Sequence, residues 1–141
     1  MDVVSDLSLD DMVVGKKKEF TVTITESMVD DFAKLSGDFN PLHMNDKYAN
    51  LSGFQSRVCH GVLLASFFSR LVGMYLPGKR ALYFSQSLNF TNPCYANESI
   101  LVRGQVISKS TATRIITLKT SIINSVGKCI VEGQAKVIVR K

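Results

Sequence analysis

The feature that most limits the fold of this chain is the segment from Gly61 to Leu76, in which almost every side chain is apolar. A helix that is apolar on every side has no face to offer to water and must be surrounded by other structure. At the α-helical rise per residue it would be about 24 Å long, enough to cross a small domain. It is also too short and too interrupted to span a bilayer. We therefore expect a central, buried helix that ends at Pro77-Gly78.

Alternating apolar and polar residues indicate a sheet that wraps this helix. Phe20, Val22 and Ile24 predict one edge strand. Four longer strand-like runs occupy Leu82–Phe90, Ile100–Ile107, Thr113–Asn124 and Cys129–Arg140. Sequential strands with connections as short as Ser125-Val126-Gly127 favour antiparallel pairing. The predicted fold class is therefore α+β, with one long helix held against a curved antiparallel sheet of about five strands.

Between the first strand and the central helix, the sequence predicts one more helix and then a polar loop. Thr25 or Ser27 can cap a helix whose apolar stripe runs from Met28 to Leu35. Gly37 supplies its C-terminal stop. The polar loop then occupies residues 38 to about 59, with one helical turn predicted near Asp46–Ala49, and it contains the residue types that carry chemistry.

Composition limits what such a domain can do. The chain has 141 residues, of which 45% are hydrophobic and 21% charged, so it can form a core and is not disordered. We predict a single domain over residues 1–141. The net charge of +5 is uneven, because residues 1–70 carry 7 basic and 10 acidic side chains whereas residues 71–141 carry 10 and 2. A basic half suits a phosphate-bearing ligand or an ordinary solvated surface. No interleaving of basic and aromatic residues indicates nucleic-acid binding.

The cysteines and the first residues bear on the compartment. Cys59, Cys94 and Cys129 are an odd number without a C-x-x-C pair, which favours free thiols in a reducing compartment. The start, Met1 to Asp6, is acidic and lacks the basic region of a signal peptide. We expect a soluble, cytoplasmic protein that does not enter a membrane.

The first candidate site is the run Asp38-Phe39-Asn40-Pro41-Leu42-His43. Pro41 fixes its own φ and pushes Asn40 toward an extended conformation, so the segment is stiff. A tight turn there could bring the Asp38 carboxylate and the His43 imidazole to one pocket. Sharing a water that Asn40 helps to hold, they would form a minimal acid–base pair. The same residues also fit a structural turn against which His43 packs, and spacing alone favours that simpler interpretation.

The second candidate is His60-Gly61, at the start of the central helix. The first N–H groups of a helix have no internal partner, and Gly61 has no side chain to keep a ligand oxygen away from its N–H. Such a donor can form an oxyanion hole. His60 itself is interpreted as a residue that shapes the helix entry. Cys59 beside it is not a convincing nucleophile partner, because adjacent side chains diverge and no third group is evident.

Two further points concern the central helix and metals. Ser69 lies on the apolar helix, where a buried hydroxyl needs a partner. It can bond the carbonyl one turn back or reach Asp38 and orient it. The chain has only two histidines, His43 and His60, and neither they nor Cys59 show a recognisable ligand spacing. No metal site is predicted.

These residues resemble a known family, the MaoC-like, (R)-specific enoyl-CoA hydratases. The resemblance lies in Asp38-Phe39-Asn40-Pro41-Leu42-His43 followed by His60-Gly61-Val62-Leu63-Leu64-Ala65. It continues in Ser36-Gly37, in Leu76-Pro77-Gly78 and in Ser85-Gln86-Ser87-Leu88-Asn89-Phe90. The match covers nearly the whole chain and is far more specific than an isolated aspartate and histidine, so it favours the catalytic interpretation over the simple turn.

The resemblance implies a hot-dog fold, in which an antiparallel sheet wraps a long central helix. It also implies reversible addition of water to a trans-2-enoyl-CoA to give the (R)-3-hydroxyacyl-CoA, with no cofactor beyond the CoA thioester substrate. By resemblance, Asp38 and His43 are the catalytic pair with Asn40 beside them. The Gly61 N–H polarises the thioester carbonyl, and Ser69 supports Asp38 through a hydrogen bond.

Substrate contacts and the oligomer are predicted less directly. We expect the acyl chain to lie in an apolar slot lined by some of Phe39, Leu42, Phe54, Phe67 and Leu71. We expect the nucleotide end of CoA near basic surface residues, among them Lys79, Arg80 and Arg103. The family, together with the many β-branched residues of the last two strands, predicts a homodimer.

Three other functions fit parts of the same sequence. The nearest is a 3-hydroxyacyl dehydratase acting on an acyl carrier protein, because the basic second half would suit an acidic carrier as well as CoA phosphates. A catalytically silent module that binds acyl thioesters would not need the acid–base pair. A thioesterase on the same fold would release free thiol from acyl-CoA.

Overall fold

A computed structural model describes residues 2–141 of the protein, which form one antiparallel sheet and a set of helices. The strands are β1 (Lys17–Thr23), β2 (Ala81–Gln86), β3 (Asn89–Phe90), β4 (Ser99–Ser110), β5 (Ile115–Asn124) and β6 (Cys129–Val139). The helices are α1 (Glu26–Ser36), α2 (Pro41–Met44), α3 (Asp46–Leu51), α4 (Gly61–Ala65) and α5 (Phe67–Arg70), followed by a π-helical turn (Leu71–Tyr75). The α+β class predicted from the sequence is confirmed.

The sheet has the strand order β1-β4-β5-β6-β2, and β3 pairs with β6 beyond the end of β2. All five pairings are antiparallel. The run predicted as one strand from residue 82 to residue 90 is divided into β2 and β3. The reason is Ser87, whose N–H donates to the Gln134 carbonyl while its side-chain oxygen accepts from Gln134 N–H, so a side chain replaces the backbone acceptor there.

The central helix, meaning α4, α5 and the π-helical turn together, packs on the inner face of the sheet. Helix residues Phe68, Leu71 and Val72 are buried in the core together with the inward side chains of β4, β5 and β6. The helix comes closest to β4 at Gly104, where a Cβ atom would lie 2.6 Å from the Leu71 Cδ2. A residue without a side chain is therefore needed at this crossing.

The prediction that this helix is one α-helix, buried on all sides, is wrong in two respects. The backbone stays helical from Gly61 to Tyr75 but is built from two short α-helical pieces and a π turn. One stripe of the helix is also exposed in the chain, namely Val62, Ser66, Ser69, Arg70 and Gly73. These positions recur at the helical period, so they share the face that lies away from the sheet. Apolar composition alone did not reveal which face the sheet leaves uncovered.

The segment before the central helix is more ordered than the predicted polar loop. Thr25 caps α1 by accepting from Met28 N–H at 3.1 Å, and Gly37 ends the helix with its N–H on the Ala33 carbonyl. Leu35, predicted in the apolar stripe, points outward and is 84% exposed. Two short helices, α2 and α3, then occupy much of residues 41–51, and α3 confirms the helical turn predicted near Asp46–Ala49.

The chain before β1 covers one end of the central helix. Leu9 and Met12 enter the core, and Ser5 N–H donates to the Met74 carbonyl at 2.9 Å. Asp6 forms a bridge with Gly78, just past the helix end. Among residues 2–141, no helix has the length and apolar character that crossing a lipid bilayer requires.

Because the central helix is buried, a cavity made at its centre should lower the stability of the protein. Phe68 is 1% exposed, so Phe68→Ala should lower the free energy of unfolding by about 3–5 kcal/mol. Leu35→Ala removes an exposed leucine from α1 and should change it by less than about 0.5 kcal/mol. Urea denaturation of the two variants and the wild type measures both effects. Equal losses in the two variants would contradict the packing described.

Candidate active site

The bend that carries Asp38 and His43 is built from two consecutive side-chain turns. The Asp38 Oδ1 accepts from Asn40 N–H at 3.1 Å, and the Asn40 Oδ1 accepts from Leu42 N–H at 3.0 Å. Pro41 occupies the first turn of α2, where its missing N–H costs nothing. Because the Oδ1 of the Asn40 side chain caps α2, its NH₂ group is the donor that this side chain can offer to a ligand.

This bend brings the two side chains to within the reach of one water molecule. The His43 Nε2 lies 3.7 Å from the Asp38 Oδ2. The separation is too long for a direct hydrogen bond, and a water placed beside both atoms could contact each. The His43 side chain is 17% exposed and that of Asp38 is 49% exposed, so the pair opens to solvent on the Asp38 side. The segment thus forms the predicted turn and also brings the Asp38 and His43 side chains close together.

The state of the His43 ring follows from its other nitrogen. The His43 Nδ1 lies 2.6 Å from the Val58 carbonyl oxygen. A carbonyl oxygen only accepts, so Nδ1 carries the proton and donates it. In the neutral ring, Nε2 then has a free lone pair and faces Asp38. The imidazole is therefore oriented as a proton acceptor toward the gap between the two side chains.

His60 contacts both residues of the pair. It is 2% exposed, its ring stacks on the His43 ring at 3.9 Å between centroids, and its Nε2 lies 3.0 Å from the Asp38 carbonyl oxygen. The Nδ1 atom of His60 is buried without a hydrogen-bond partner among the described residues. Burial lowers the pKa of His60. The sequence-based interpretation of His60 as a residue of the helix entry therefore misses its contacts with both Asp38 and His43.

Arg57 also stabilises this loop. It was not predicted from the sequence. Its Nε donates to the His43 carbonyl at 2.6 Å, and its guanidinium pairs with Asp30 of α1 at 2.5 Å. Its backbone N–H donates to the Asp46 Oδ1 at 2.9 Å. The side chain is largely buried, so these contacts tie α1, α2 and α3 together around the bend. No spacing signal marks an isolated arginine in a polar segment.

Gly61 begins the central helix, beside His60. Its N–H donates to no acceptor within the described residues, as the first amide of a helix is free to do. A Cβ atom at this position would lie 2.7 Å from two ring carbons of Phe90. Phe90 thus packs directly over Gly61, and only glycine leaves this amide approachable beneath the ring.

An apolar cavity of about 400 Å³ lies beside His43 and Gly61. Of the residues predicted to line an acyl slot, only Phe54 lines it. Phe39 is 56% exposed, and Leu42, Phe67 and Leu71 lie elsewhere. The wall is formed instead by residues of the helix start, of β6 and of the segment around β3: Val58, Cys59, Val62, Leu64, Phe90, Thr91, Asn92, Pro93, Cys94, Ile130 and Val131.

The structure does not support the role predicted for Ser69. Ser69 is exposed, and no hydrogen bond joins its hydroxyl to Asp38 in the part of the chain described. The expectation of a buried hydroxyl supporting Asp38 is corrected, because the helix turns Ser69 onto its uncovered face. Arg80 and Arg103 form ion pairs with Asp6 and Glu19. Contacts of these arginines and of Lys79 with the nucleotide end of CoA stay a prediction.

The donor atoms of Asp38, His43 and His60 come within 4.8 Å of one another, which is close enough to consider a metal ion. The two imidazole rings are stacked with only 26° between their planes. Lone pairs in nearly parallel rings do not converge on a tetrahedral centre, which zinc sites require. The arrangement suits proton transfer better than metal ligation, and the absence of a metal stays a prediction.

Fold and site together define the class. A central helix wrapped by an antiparallel sheet, with the chemistry placed at the helix start, is a hot-dog domain. The family described as MaoC like domain matches residues 11–127. The chain belongs to this family, as the resemblance in the sequence implied.

Known proteins of this class are similar over most of their length. The chain is 37% identical over 131 residues to an (R)-specific enoyl-CoA hydratase of Aeromonas caviae, covering 93% of this chain and 98% of that one. An R-hydratase structure from Pseudomonas aeruginosa superposes with a TM-score of 0.92 at 31% identity, covering 98% of this chain and 88% of that one. A mitochondrial 3-hydroxyacyl-[acyl-carrier-protein] dehydratase of Arabidopsis thaliana is 37% identical over 95 residues, covering 67% of this chain and 56% of that one.

The buried, neutral His60 predicts an acid-sensitive stability. Its pKa in the folded protein lies below the value of 6.5 of a free histidine, so protons bind the unfolded chain more readily. The free energy of unfolding should be level above about pH 7 and fall as the pH drops below about 6.5. His60→Gln should flatten this slope, whereas His43→Gln should keep most of it. Urea denaturation at several pH values measures the slopes, and identical slopes in wild type and His60→Gln would contradict the assignment.

Proposed function

We propose that the protein is an (R)-specific enoyl-CoA hydratase, which adds water reversibly to a trans-2-enoyl-CoA and forms the (R)-3-hydroxyacyl-CoA. The observation that carries this proposal is the gap of 3.7 Å between Asp38 and His43, beside an apolar cavity that also reaches Gly61. The cavity suits an acyl chain, the gap suits a water and the free amide suits a thioester oxygen. The identity to the Aeromonas caviae hydratase supports the same reaction.

The catalytic roles follow from the donors and acceptors on each side of the gap. The Asp38 carboxylate and the His43 Nε2 both accept, so they can hold a water by its two hydrogens and point its oxygen at the substrate. As the water oxygen bonds to Cβ, the pair takes up one of its protons, and a proton is delivered to Cα. The sum is one water added across the double bond. Proton transfer by positioned groups of this kind contributes about 10²–10⁴-fold in rate.

Gly61 acts on the thioester oxygen of the substrate. When oxygen adds to Cβ, negative charge develops on the thioester oxygen before Cα is protonated. The free Gly61 N–H, at the positive end of the central helix, can donate to that oxygen. The loss of one such donor costs about 3 kcal/mol of transition-state stabilisation. Phe90 over Gly61 shields the position from water.

A second candidate is the same chemistry on a carrier-protein thioester. The similarity to the plant mitochondrial dehydratase and the basic second half, with 10 basic and 2 acidic side chains in residues 71–141, both favour it. Rates on matched CoA and carrier-protein thioesters distinguish the two. The CoA substrate is preferred here because the hydratase of Aeromonas caviae is covered over almost its full length.

The proposed pair predicts the effect of isosteric changes. Asp38→Asn and His43→Gln should each lower kcat for hydration of crotonyl-CoA by at least about 100-fold, because each removes a proton acceptor from the gap. Loss of the conjugated enoyl absorbance measures the rate. Asp31→Asn, an exposed aspartate of α1, is the matched control and should stay near the wild-type rate. An inert wild type, or folded Asp38 and His43 variants at near wild-type rate, would contradict the mechanism.

We also propose a homodimer, and the structure gives a more specific reason than the sequence did. The β-branched strands β5 and β6 are in the middle of the sheet and already paired on both sides. The edge strand β2 instead exposes Leu82 at 53% and Phe84 at 61%. An open edge with exposed apolar side chains favours pairing with another chain, and antiparallel pairing of two β2 strands would close it.

The dimer has its own test. The chain has a mass of 15.6 kDa, so light scattering at micromolar concentration should give about twice that value. Phe84→Glu places a charge on the exposed side of β2 and should shift the population toward the monomer. Leu35→Glu adds a charge at an exposed position of α1 and is the matched control. A wild type that is monomeric under these conditions would remove the proposal.

The role of Asn40 beside the catalytic pair, Phe54 as a substrate contact, independence from any cofactor, and the cytoplasmic location stay predictions from the sequence. Phe54 lines the cavity, which supports its assignment.

A further inference from the structure

Two cysteines face each other across a short strand pairing in the cavity wall. Val58 and Tyr95 form an isolated antiparallel bridge, and the next residue on each side is a cysteine. Cys59 N–H donates to the Cys94 carbonyl at 2.7 Å, so the two residues are directly opposite. Residues opposite each other in an antiparallel pair point to the same face with Cα atoms about 5.5 Å apart. That spacing is the usual one for residues joined by a disulfide.

Both thiols are sheltered but reach the same space. Cys59 is 4% exposed and Cys94 is 1% exposed, and both line the cavity beside Gly61. A hydrogen bond with the Cys59 thiol, together with burial, raises the pKa of the Cys94 thiol. A small oxidant that enters the cavity can therefore reach both cysteines.

We propose that Cys59 and Cys94 are an oxidisable dithiol that closes into a reversible disulfide within the cavity wall. With hydrogen peroxide as the oxidant, one thiol loses its proton, attacks a peroxide oxygen and becomes a sulfenic acid, while the released hydroxide takes up that proton and leaves as water. The second thiol then attacks that sulfur and releases water. Two thiols and one hydrogen peroxide thus give one disulfide and two waters. A thiol reductant reverses the reaction by exchange.

The disulfide would act on the proposed active site through its neighbours. Cys59 follows Val58, whose carbonyl orients His43, and precedes His60 and Gly61. A bond of about 2.05 Å between the sulfurs locks the two side chains together in the wall beside Gly61. A locked wall adapts less to an acyl chain, so the chain enters less easily. This consequence rests on the proposed function, whereas formation of the disulfide does not.

The experiment uses the full chain with Cys129→Ser as the background, because Cys129 is partly exposed and lies outside the cavity. Trypsin places Cys59 in the peptide 58–70 and Cys94 in the peptide 81–103. After treatment with hydrogen peroxide, mass spectrometry should show the two peptides cross-linked and the protein lighter by two hydrogens. Dithiothreitol should restore two titratable thiols. Adding Cys94→Ser to the background should abolish the cross-link.

Each outcome bears on the proposal. Sulfinic or sulfonic products without the 58–70 to 81–103 cross-link, or thiols that stay free, would overturn it. If the cross-link forms, the rate with crotonyl-CoA should fall several-fold and recover with dithiothreitol, while the Cys94→Ser protein keeps its own untreated rate. A cross-linked protein with an unchanged KM and kcat would overturn the coupling to the cavity. An inert enzyme that still forms the cross-link would count against the proposed hydration alone.

Discussion

The site depends on one hydrogen bond, from the His43 Nδ1 to the Val58 carbonyl at 2.6 Å. It places the proton on one ring nitrogen and leaves the other free toward Asp38. It also joins two stretches of chain, because Val58 is anchored by its bridge to Tyr95 whereas His43 belongs to α2. Without it, the imidazole could rotate or change tautomer, and the gap that accepts a water would lose one of its two acceptors. The acid–base pair is thus held by backbone on one side and by the stacked His60 on the other.

Much of the fold could be predicted because its signals are local. The alternation in β4, β5 and β6 and the turn at Gly127 identify an antiparallel sheet within short windows of sequence. The error at the central helix has a physical origin. An apolar segment shows that a helix is mostly buried, but the uncovered stripe with Ser69 is set by how the sheet curves around it. That curvature depends on contacts far apart in the chain.

The candidate site, too, could be predicted only in part from the sequence. Asp38 and His43 could be predicted as a pair because only four residues separate them and turn chemistry places both on one bend. The cavity wall could not, because Phe90 and Ile130 reach it only through the pairing of β3 with β6. Phe39, which is adjacent to Asp38 in sequence, was expected in the wall, yet it is exposed. Proximity along the chain therefore predicted the pairing of Asp38 with His43 but not the residues that line the cavity.

Part of the cavity wall comes from a region of the chain that is remote from the Asp38–His43 pair. The pair lies on residues 38–43 and is supported by Arg57 and His60, while β3, the segment after it and β6 supply the part of the wall that runs from Phe90 to Cys94 and includes Ile130 and Val131. Substitutions in that part of the wall can change the cavity without altering the hydrogen bond that holds His43. Under the proposed function, exchanging a few side chains around Ile130 would change which acyl groups fit, while Asp38 and His43 keep their arrangement.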